Sequence, residues 1–360
     1  MVSEKLKILY FMNVDWSWIR QRPHIIAQEL DEIYDITVLF PHYLTRPWRK
    51  QYKTKKTCKC KPVFQIPFEP KIPVLSKLQE KILIDKIGDI NQYDILWFSS
   101  PIYAKYIPCD YKGMVIYDDM DDNVAIQTDA VIAERVNNGQ NILFERADIV
   151  FVTSNNLLAR LPEKVKEKAY LIRNGSCVDL IEKVQEPNNR KNVFHVGYLG
   201  TISEWFNFEL IIKCAKNNPD VRFDLFGPDL VPIPKDEQII KHGIIEHDEI
   251  VDALKEMDCM IMPFILNEIV LAVDPVKLYE YIGLGKCIIS VRYPEIERFE
   301  DFVYFYEDDS SLLNLVENLK LKGYPPKYNE KMQKDFLREN SWKQRIDEIN
   351  KVIIAWRKNK

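Results

Sequence analysis

The chain has 360 residues, 46% of them hydrophobic and 29% charged, with a net charge of −4. That length suggests two or three domains, with cores large enough to exclude disorder for most of the chain. Eleven Gly and 20 Pro exclude a collagen-like or linker-rich design, the acidic balance gives no global reason to expect nucleic acid, and no apolar run approaches the ~20 residues of a membrane-spanning helix. Met1–Lys5 leads directly into a strand-like run, with no signal-peptide apolar region. Lys7–Met12 reads as a strand, Pro23–Leu30 shows helical spacing, and Ile36–Phe40 and Val63–Pro67 read as further strands. Ile72–Ile90 predicts an amphipathic helix, with Ile72, Leu75, Leu78, Ile82 and Leu83 near the helical period. Asp94–Phe98, Met114–Tyr117 and Ile149–Thr153 are continuous apolar runs of the kind buried on both faces of a parallel sheet. The polar stretch Glu182–Asn192 reads as an interdomain linker. Beyond it Val193–Leu199, Arg222–Phe226, Cys259–Met262 and Cys287–Val291 restart the alternation, and Lys331–Lys358 is a helix-rich tail. The expected fold class is α/β, with two doubly wound halves. Ligands of such sheets bind beyond the carboxyl ends of the strands, so two such domains facing a cleft would place the chemistry in the loops after the strands.

Seven Cys are scattered, and only Cys58 and Cys60 are close. With no second Cys pair and no nearby His, that spacing suits tetrahedral zinc poorly, and free thiols in a reducing cytoplasm are the expectation.

The strongest constellation runs from Asp274 to Val291. Asp274 is placed to cap a helix that Pro275 starts, and Lys277 and Glu280, three apart, share a helix face. A helix start with an added ammonium suits a diphosphate. Glu280, one turn on, suits the hydroxyls of a ribose, and Gly283 and Gly285 turn the chain into a buried strand. The same residues would also make an ordinary solvated Lys–Glu pair on a surface helix.

This stretch resembles the nucleotide-sugar site of GT-B glycosyltransferases of the large retaining, family-four-like group. Other segments resemble, in order, the subgroup of teichuronic-acid or capsule glycosyltransferases. These are Tyr10–Asn13 with Trp16 and Arg20–His24, Ile116–Asp122, Glu145 with Ala147–Ser154, Ile172–Gly175, and Gly197–Phe206. The resemblance spans about residues 6–345. It implies two Rossmann-like domains: an acceptor domain over 1–180, a donor domain over 190–335, and a terminal helical segment over 336–360 crossing back to the first. It implies a hexosyltransferase moving a sugar from a nucleoside-diphosphate sugar to a cell-surface polysaccharide or lipid-linked glycan, with retention, without metal and without a cofactor. Donor contacts are expected at Gly200, Thr201, Arg173, Lys277, Leu278, Glu280, Arg20 and Arg22. Chemistry is expected at Asp118, Asp119, Asp121 and Lys277, and acceptor contacts at Trp16, His24 and Asp121. A nucleotide-sugar epimerase of similar shape and a non-catalytic nucleotide-sugar-binding subunit remain alternatives.

The chain departs from that group in two places. Ala272 stands where the group often has the first of two Glu, with Glu268 displaced upstream, and Thr201, Glu204 and Trp205 replace the Arg and Lys that usually follow the Gly197–Gly200 loop. Backbone N–H groups of Gly200–Ser203, at a helix start capped by Ser203, and the cations Arg20, Arg22, Arg173 and Lys277 are the expected substitutes. Asp118–Asp122 also matches an Asp-x-Asp metal pattern. Its expected use is acceptor recognition or handling of the transferred proton, with turn or cap roles as the alternative for each Asp. Arg46–Lys61 carries eight cations and no acid, with Trp48 and Tyr52 interleaved. That suits anionic lipid at the inner face of a membrane, or a solvated loop.

Overall fold

The computed structural model describes residues 5–43, 58–176, 181–188, 190–246 and 249–358. The chain divides into two compact units: Met1–Arg173 with Ile346–Lys360, and Asn174–Arg345.

The first unit holds seven parallel strands: β1 Lys7–Phe11, β2 Asp35–His42, β3 Lys59–Phe64, β4 Ile95–Phe98, β5 Met114–Asp119, β6 Ile149–Val152 and β7 Ala169–Leu171. They lie in the order β3-β2-β1-β4-β5-β6-β7. The central strands are buried along almost their whole length, as continuous apolar runs require. Strand β3 starts four residues before the expected Val63. It is an edge strand, so its polar residues and Pro62 are tolerated there. The helix after it covers Pro73–Ile87, but it buries only part of the expected stripe, with Leu83 inside and Leu75 and Ile82 half-buried. Ile72 and Leu78 are exposed, while Gln79, Leu83 and Ile87 face inward. Gln79 can be buried because its amide accepts from the Ile66 N–H (2.8 Å) and donates to the Phe64 carbonyl (3.0 Å).

The second unit holds β8 Phe194–Leu199, β9 Val221–Phe226, β10 Ile239–Gly243, β11 Cys259–Met262, β12 Cys287–Val291 and β13 Tyr304–Tyr306. All are parallel, in the order β10-β9-β8-β11-β12-β13. This is the doubly wound order with the topological switch between β8 and β11, where such sheets bind ligands. The polar stretch after residue 181 is not free chain. Its Glu182, Gln185 and Asn188 N–H groups donate to the carbonyls of Gly283, Gly285 and Gly323, so it runs along the second unit, and the division falls earlier, at Arg173/Asn174. The tail forms the helices Glu330–Glu339 and Trp342–Lys358, and the latter, from Ile346 on, belongs to the first unit, where Asn350 accepts from the Tyr34 hydroxyl. No helix among the described residues is long and apolar enough to cross a membrane.

Candidate functional site

In the second unit the site residues gather at the carboxyl end of β8. The helix Val276–Gly283 is tied there by the Tyr281 hydroxyl, which accepts from the Leu199 N–H at 2.9 Å. This puts Lys277 beside Gly200, where a Cβ would stand 3.5 Å from the lysine Cε. Lys277 Nζ donates to Glu280 Oε2 at 2.9 Å, with the lysine 30% exposed and the glutamate 9%. Among the described residues, Glu280 Oε1 accepts no hydrogen bond. The carboxylate is thus anchored by one oxygen and offers the other.

Asp274 does not cap this helix. Pro275 occupies the cap position, outside the first helical turn, and the buried Asp274 carboxylate instead accepts from Asn174 N–H (2.7 Å), the Tyr279 hydroxyl (3.0 Å) and the Arg298 guanidinium. Arg298 also stacks over Phe299 at 4.0 Å. A buried carboxylate needs such charge-assisted partners, and here they fix the entry to the Lys277 turn. Leu278 is fully buried in the core, which leaves only its backbone for a ligand.

The expected helix start at Ser203 is absent. Ile202 bridges Asp229 and Phe206 bridges Phe264, and the helix begins only at Phe208, capped by the Asn207 side chain. The Gly200 and Ile202 N–H groups already donate to Phe226 and Pro228 carbonyls, and the Thr201 carbonyl accepts from the Tyr198 hydroxyl at 2.9 Å. The loop is therefore rigid but supplies fewer free amides than a helix start would. Gly227 closes it from behind. Its φ of +128° suits only glycine, and a Cβ there would lie 2.1 Å from the Gly200 oxygen.

In the first unit Asp118 and Asp119 end β5 on opposite faces. Asp118 is buried in a bidentate pair with Arg22, whose Nη2 and Nε lie 2.8 and 3.1 Å from its oxygens, and Arg22 Nη1 reaches the Arg173 carbonyl at 3.1 Å. Arg22 is thus committed to the first unit's interior. Asp119 accepts from Tyr117 (2.7 Å) and Asn123 (3.1 Å), and burial, with Asp118 and Asp121 adding to it, pushes its carboxyl up to about 7. Asp122 pairs with Arg160 at 2.7 Å and caps the Ala125 N–H. Asp121 differs from all three: its carboxylate makes no hydrogen bond among the described residues. Burial pushes it, too, up to about 7, against the pull of Arg22.

Trp16 and His24 are brought together, with ring centroids 5.3 Å apart, but in the core rather than on a surface. His24 Nδ1 accepts from Gln21 N–H, and burial lowers the imidazole to about 4, so it is neutral at pH 7. Arg20 and Arg173 are partly exposed. Most of Arg46–Lys61 lies outside the described residues. Among these no three His, Cys, Asp or Glu side chains converge as metal ligands. The sequence reading gave no role to Asn174, Arg298, Tyr281 and Asn123, whose contacts with Asp274, Leu199 and Asp119 spacing alone does not reveal.

No protein-family model matches the chain. It is 23% identical over 193 residues to a Bacillus subtilis (strain 168) protein provisionally named a teichuronic acid biosynthesis glycosyltransferase, TuaH, covering 48% of each. The chain thus spans about half the length of the curated relative it matches. Among solved structures, HepE of Anabaena in complex with UDP and glucose superposes with a TM-score of 0.69 at 14% identity, over 97% of this chain and 100% of that one. The lipopolysaccharide outer core galactosyltransferase WaaB, in apo form, gives 0.65 at 13%, over 97% and 99%. At these identities the likeness is one of fold. The chain has the GT-B fold, with two Rossmann-like α/β units.

Proposed function

We propose that the chain is a glycosyltransferase that moves a sugar from a nucleoside-diphosphate sugar to a cell-surface polysaccharide or lipid-linked glycan acceptor. The observation that carries this reading is the Gly200–Lys277–Glu280 group at the switch point of the second unit. Glu280 would accept from the ribose hydroxyls with Oε1. Lys277, with two N–H groups beyond the one given to Glu280, would hold the diphosphate, whose growing negative charge a preorganised cation stabilises in the transition state. The HepE complex with UDP and glucose and the relation to TuaH support a nucleotide-sugar donor.

Asp121 is assigned to the proton of the acceptor hydroxyl, since it alone of the four Asp side chains is uncommitted. That same commitment of Asp118, Asp119 and Asp122 supports transfer without a divalent metal, because one carboxylate is a poor ligand set for a hard cation. Retention of configuration and a place at the cytoplasmic face of a membrane, where a lipid-linked acceptor would be met, belong to the same reading. The test is a panel of nucleotide sugars, read by thermal stabilisation and by release of free nucleoside diphosphate with and without glycan acceptor. Acceptor-dependent release supports the reading. Turnover of the sugar without an acceptor would indicate an epimerase, and stabilisation without turnover a binding subunit.

A further inference from the structure

Asp15, in the loop after β1, is a buried carboxylate that neither the donor site nor the Asp118–Asp122 group uses. Its Oδ1 accepts from the Ser17 N–H (3.0 Å) and hydroxyl (2.7 Å), and the Trp18 N–H closes the turn onto the Asp15 carbonyl at 2.9 Å. Its Oδ2 lies 3.1 Å from Nδ1 of His42, the last residue of β2. A buried carboxylate on one ring nitrogen fixes the role of the other. In the neutral imidazole the proton sits on Nδ1, facing Asp15, and Nε2 carries the lone pair. The His42 side chain is 29% exposed, and its Nε2 makes no hydrogen bond among the described residues. Phe64 ends β3 in register with His42, and its ring stands edge-on to the imidazole with centroids 5.4 Å apart. It is 42% exposed. The three side chains thus stand at the carboxyl ends of three adjacent strands, where ligands of such sheets bind.

The chemistry of the group selects its ligand. A lone pair on Nε2 calls for an O–H donor. The Asp15 carboxylate behind the ring repels a second anion, so a phosphate fits poorly. An exposed aromatic ring beside that lone pair suits a partner with C–H groups on one face and hydroxyls around its edge, which is the form of a pyranose. Trp16 and His24, expected to meet the acceptor, lie in the core and cannot serve.

We propose that His42, Asp15 and Phe64 form a sugar-binding subsite of the first unit: His42 Nε2 accepts a sugar hydroxyl, and the Phe64 ring packs on the pyranose C–H face. Asp15 is a positioning residue. That the sugar belongs to the acceptor glycan rests on the glycosyltransferase reading, whereas the subsite itself does not.

The test uses the 360-residue chain with isotope-labelled histidine rings, followed by NMR under conditions where the His42 ring is neutral. His42 is identified by the signals that vanish in His42→Gln. The ligands are the methyl glycosides of glucose, galactose and N-acetylglucosamine, with inorganic phosphate as the anion. In the wild type the His42 ring should show the Nδ1–H tautomer, and at least one glycoside should shift its signals to saturation while phosphate does not. Phe64→Ser, which changes an exposed position, should weaken that glycoside roughly three- to tenfold. Asp15→Asn should weaken it as much and redistribute the proton between the ring nitrogens, a change that a merely structural role would not produce. His42→Gln, whose amide oxygen can accept in place of Nε2, should keep part of the binding, read by saturation transfer to the glycoside. UDP affinity, from calorimetry, should be the same in every variant. Absence of glycoside binding at His42, binding unchanged by both Phe64→Ser and Asp15→Asn, or a response to phosphate alone would overturn the subsite. If that happens in a protein that turns over a nucleotide sugar, the glycosyltransferase reading stands without the subsite. Glycoside binding at His42 in a protein that binds no nucleotide sugar supports the subsite and overturns the glycosyltransferase reading instead.

Discussion

Replacing Glu280 by Ala separates a ribose-binding carboxylate from a surface ion pair. In the structure Glu280 is 9% exposed, holds Lys277 with Oε2 at 2.9 Å, and leaves Oε1 without a hydrogen bond among the described residues. If Oε1 receives a ribose hydroxyl, its loss removes a hydrogen bond to a charged group, worth about 1.5–3 kcal/mol, or roughly ten- to 150-fold in affinity. Lys277 offsets some of this. Freed from Glu280, its ammonium binds the diphosphate more strongly, but it is 30% exposed and a pair of this kind contributes at most ~1 kcal/mol. The net loss should be on the order of tenfold or more. Stability should scarcely change, since a Lys–Glu pair three apart on a helix contributes only about 0.2–0.5 kcal/mol. The assay is calorimetric titration with UDP and with its 2′,3′-dideoxy analogue. The wild type should favour UDP, and the Glu280→Ala protein should bind both alike and weakly. A folded Glu280→Ala protein that binds UDP within twofold of the wild type would remove Glu280 from the site and leave the solvated ion pair as its role.

Lys277→Ala should lower turnover by about 10²–10³ and more than it raises the donor KM, with Lys277→Arg rescuing only in part because a planar fork cannot reproduce a compact ammonium. Full activity in Lys277→Ala would shift the phosphate to Arg20 or Arg173. Transfer should proceed within twofold of its normal rate in a chelator, and loss of activity restored by manganese or magnesium would refute the metal-free reading. Asp121 must be ionised to take a proton, so kcat should fall as pH drops through about 7, and Asp121→Asn should abolish that limb along with most of the rate. Asp119 bears on stability. Its carboxyl stays protonated in the fold up to about 7 but loses its proton near 3.8 when unfolded. The unfolded state therefore binds fewer protons over that window, and stability falls as pH rises from about 4 to 7. Asp119→Asn should flatten part of this slope and raise the melting temperature at pH 8 by a few degrees, with the two proteins converging near pH 4.

The strands at the centre of each sheet were legible because burial on both faces writes an unbroken apolar run: Cys259–Met262 and Cys287–Val291 form with the bounds the sequence suggested. Edge strands escape this logic. Strands β7 and β13 are apolar but only three residues long and half-buried, β10 ends in Lys241-His242-Gly243, and β3 is half polar. The Pro73–Ile87 helix misled because a hydrogen-bonded Gln79 takes a core position while Leu78 faces out. Within the site, Lys277 and Glu280 were legible because three residues on a helix fix their adjacency. Asp274 was not, because its partners Asn174 and Arg298 lie 100 and 24 residues away and outcompete a local cap. Nor could the sequence show that Arg22 would be drawn to Asp118, which turns an expected phosphate ligand into an internal counter-ion.

The approach of Gly227 to the Gly200 carbonyl fixes how the donor loop can change over evolution or by design. Side chains adapt to one another by switching rotamers, whereas two stretches of main chain in van der Waals contact have nothing to switch. The turn after β8 is thus held by main-chain packing and by the Gly200 and Ile202 hydrogen bonds to the neighbouring loop. A methyl group added at Gly227 would displace the whole Gly200–Thr201 turn relative to Lys277, and, if that turn meets the diphosphate as proposed, should weaken every nucleotide sugar to a similar degree. On the proposed reading, preference among donors would then lie in side chains that can vary without shifting that turn, and the same unit offers partly exposed residues at Trp205 and over 264–273.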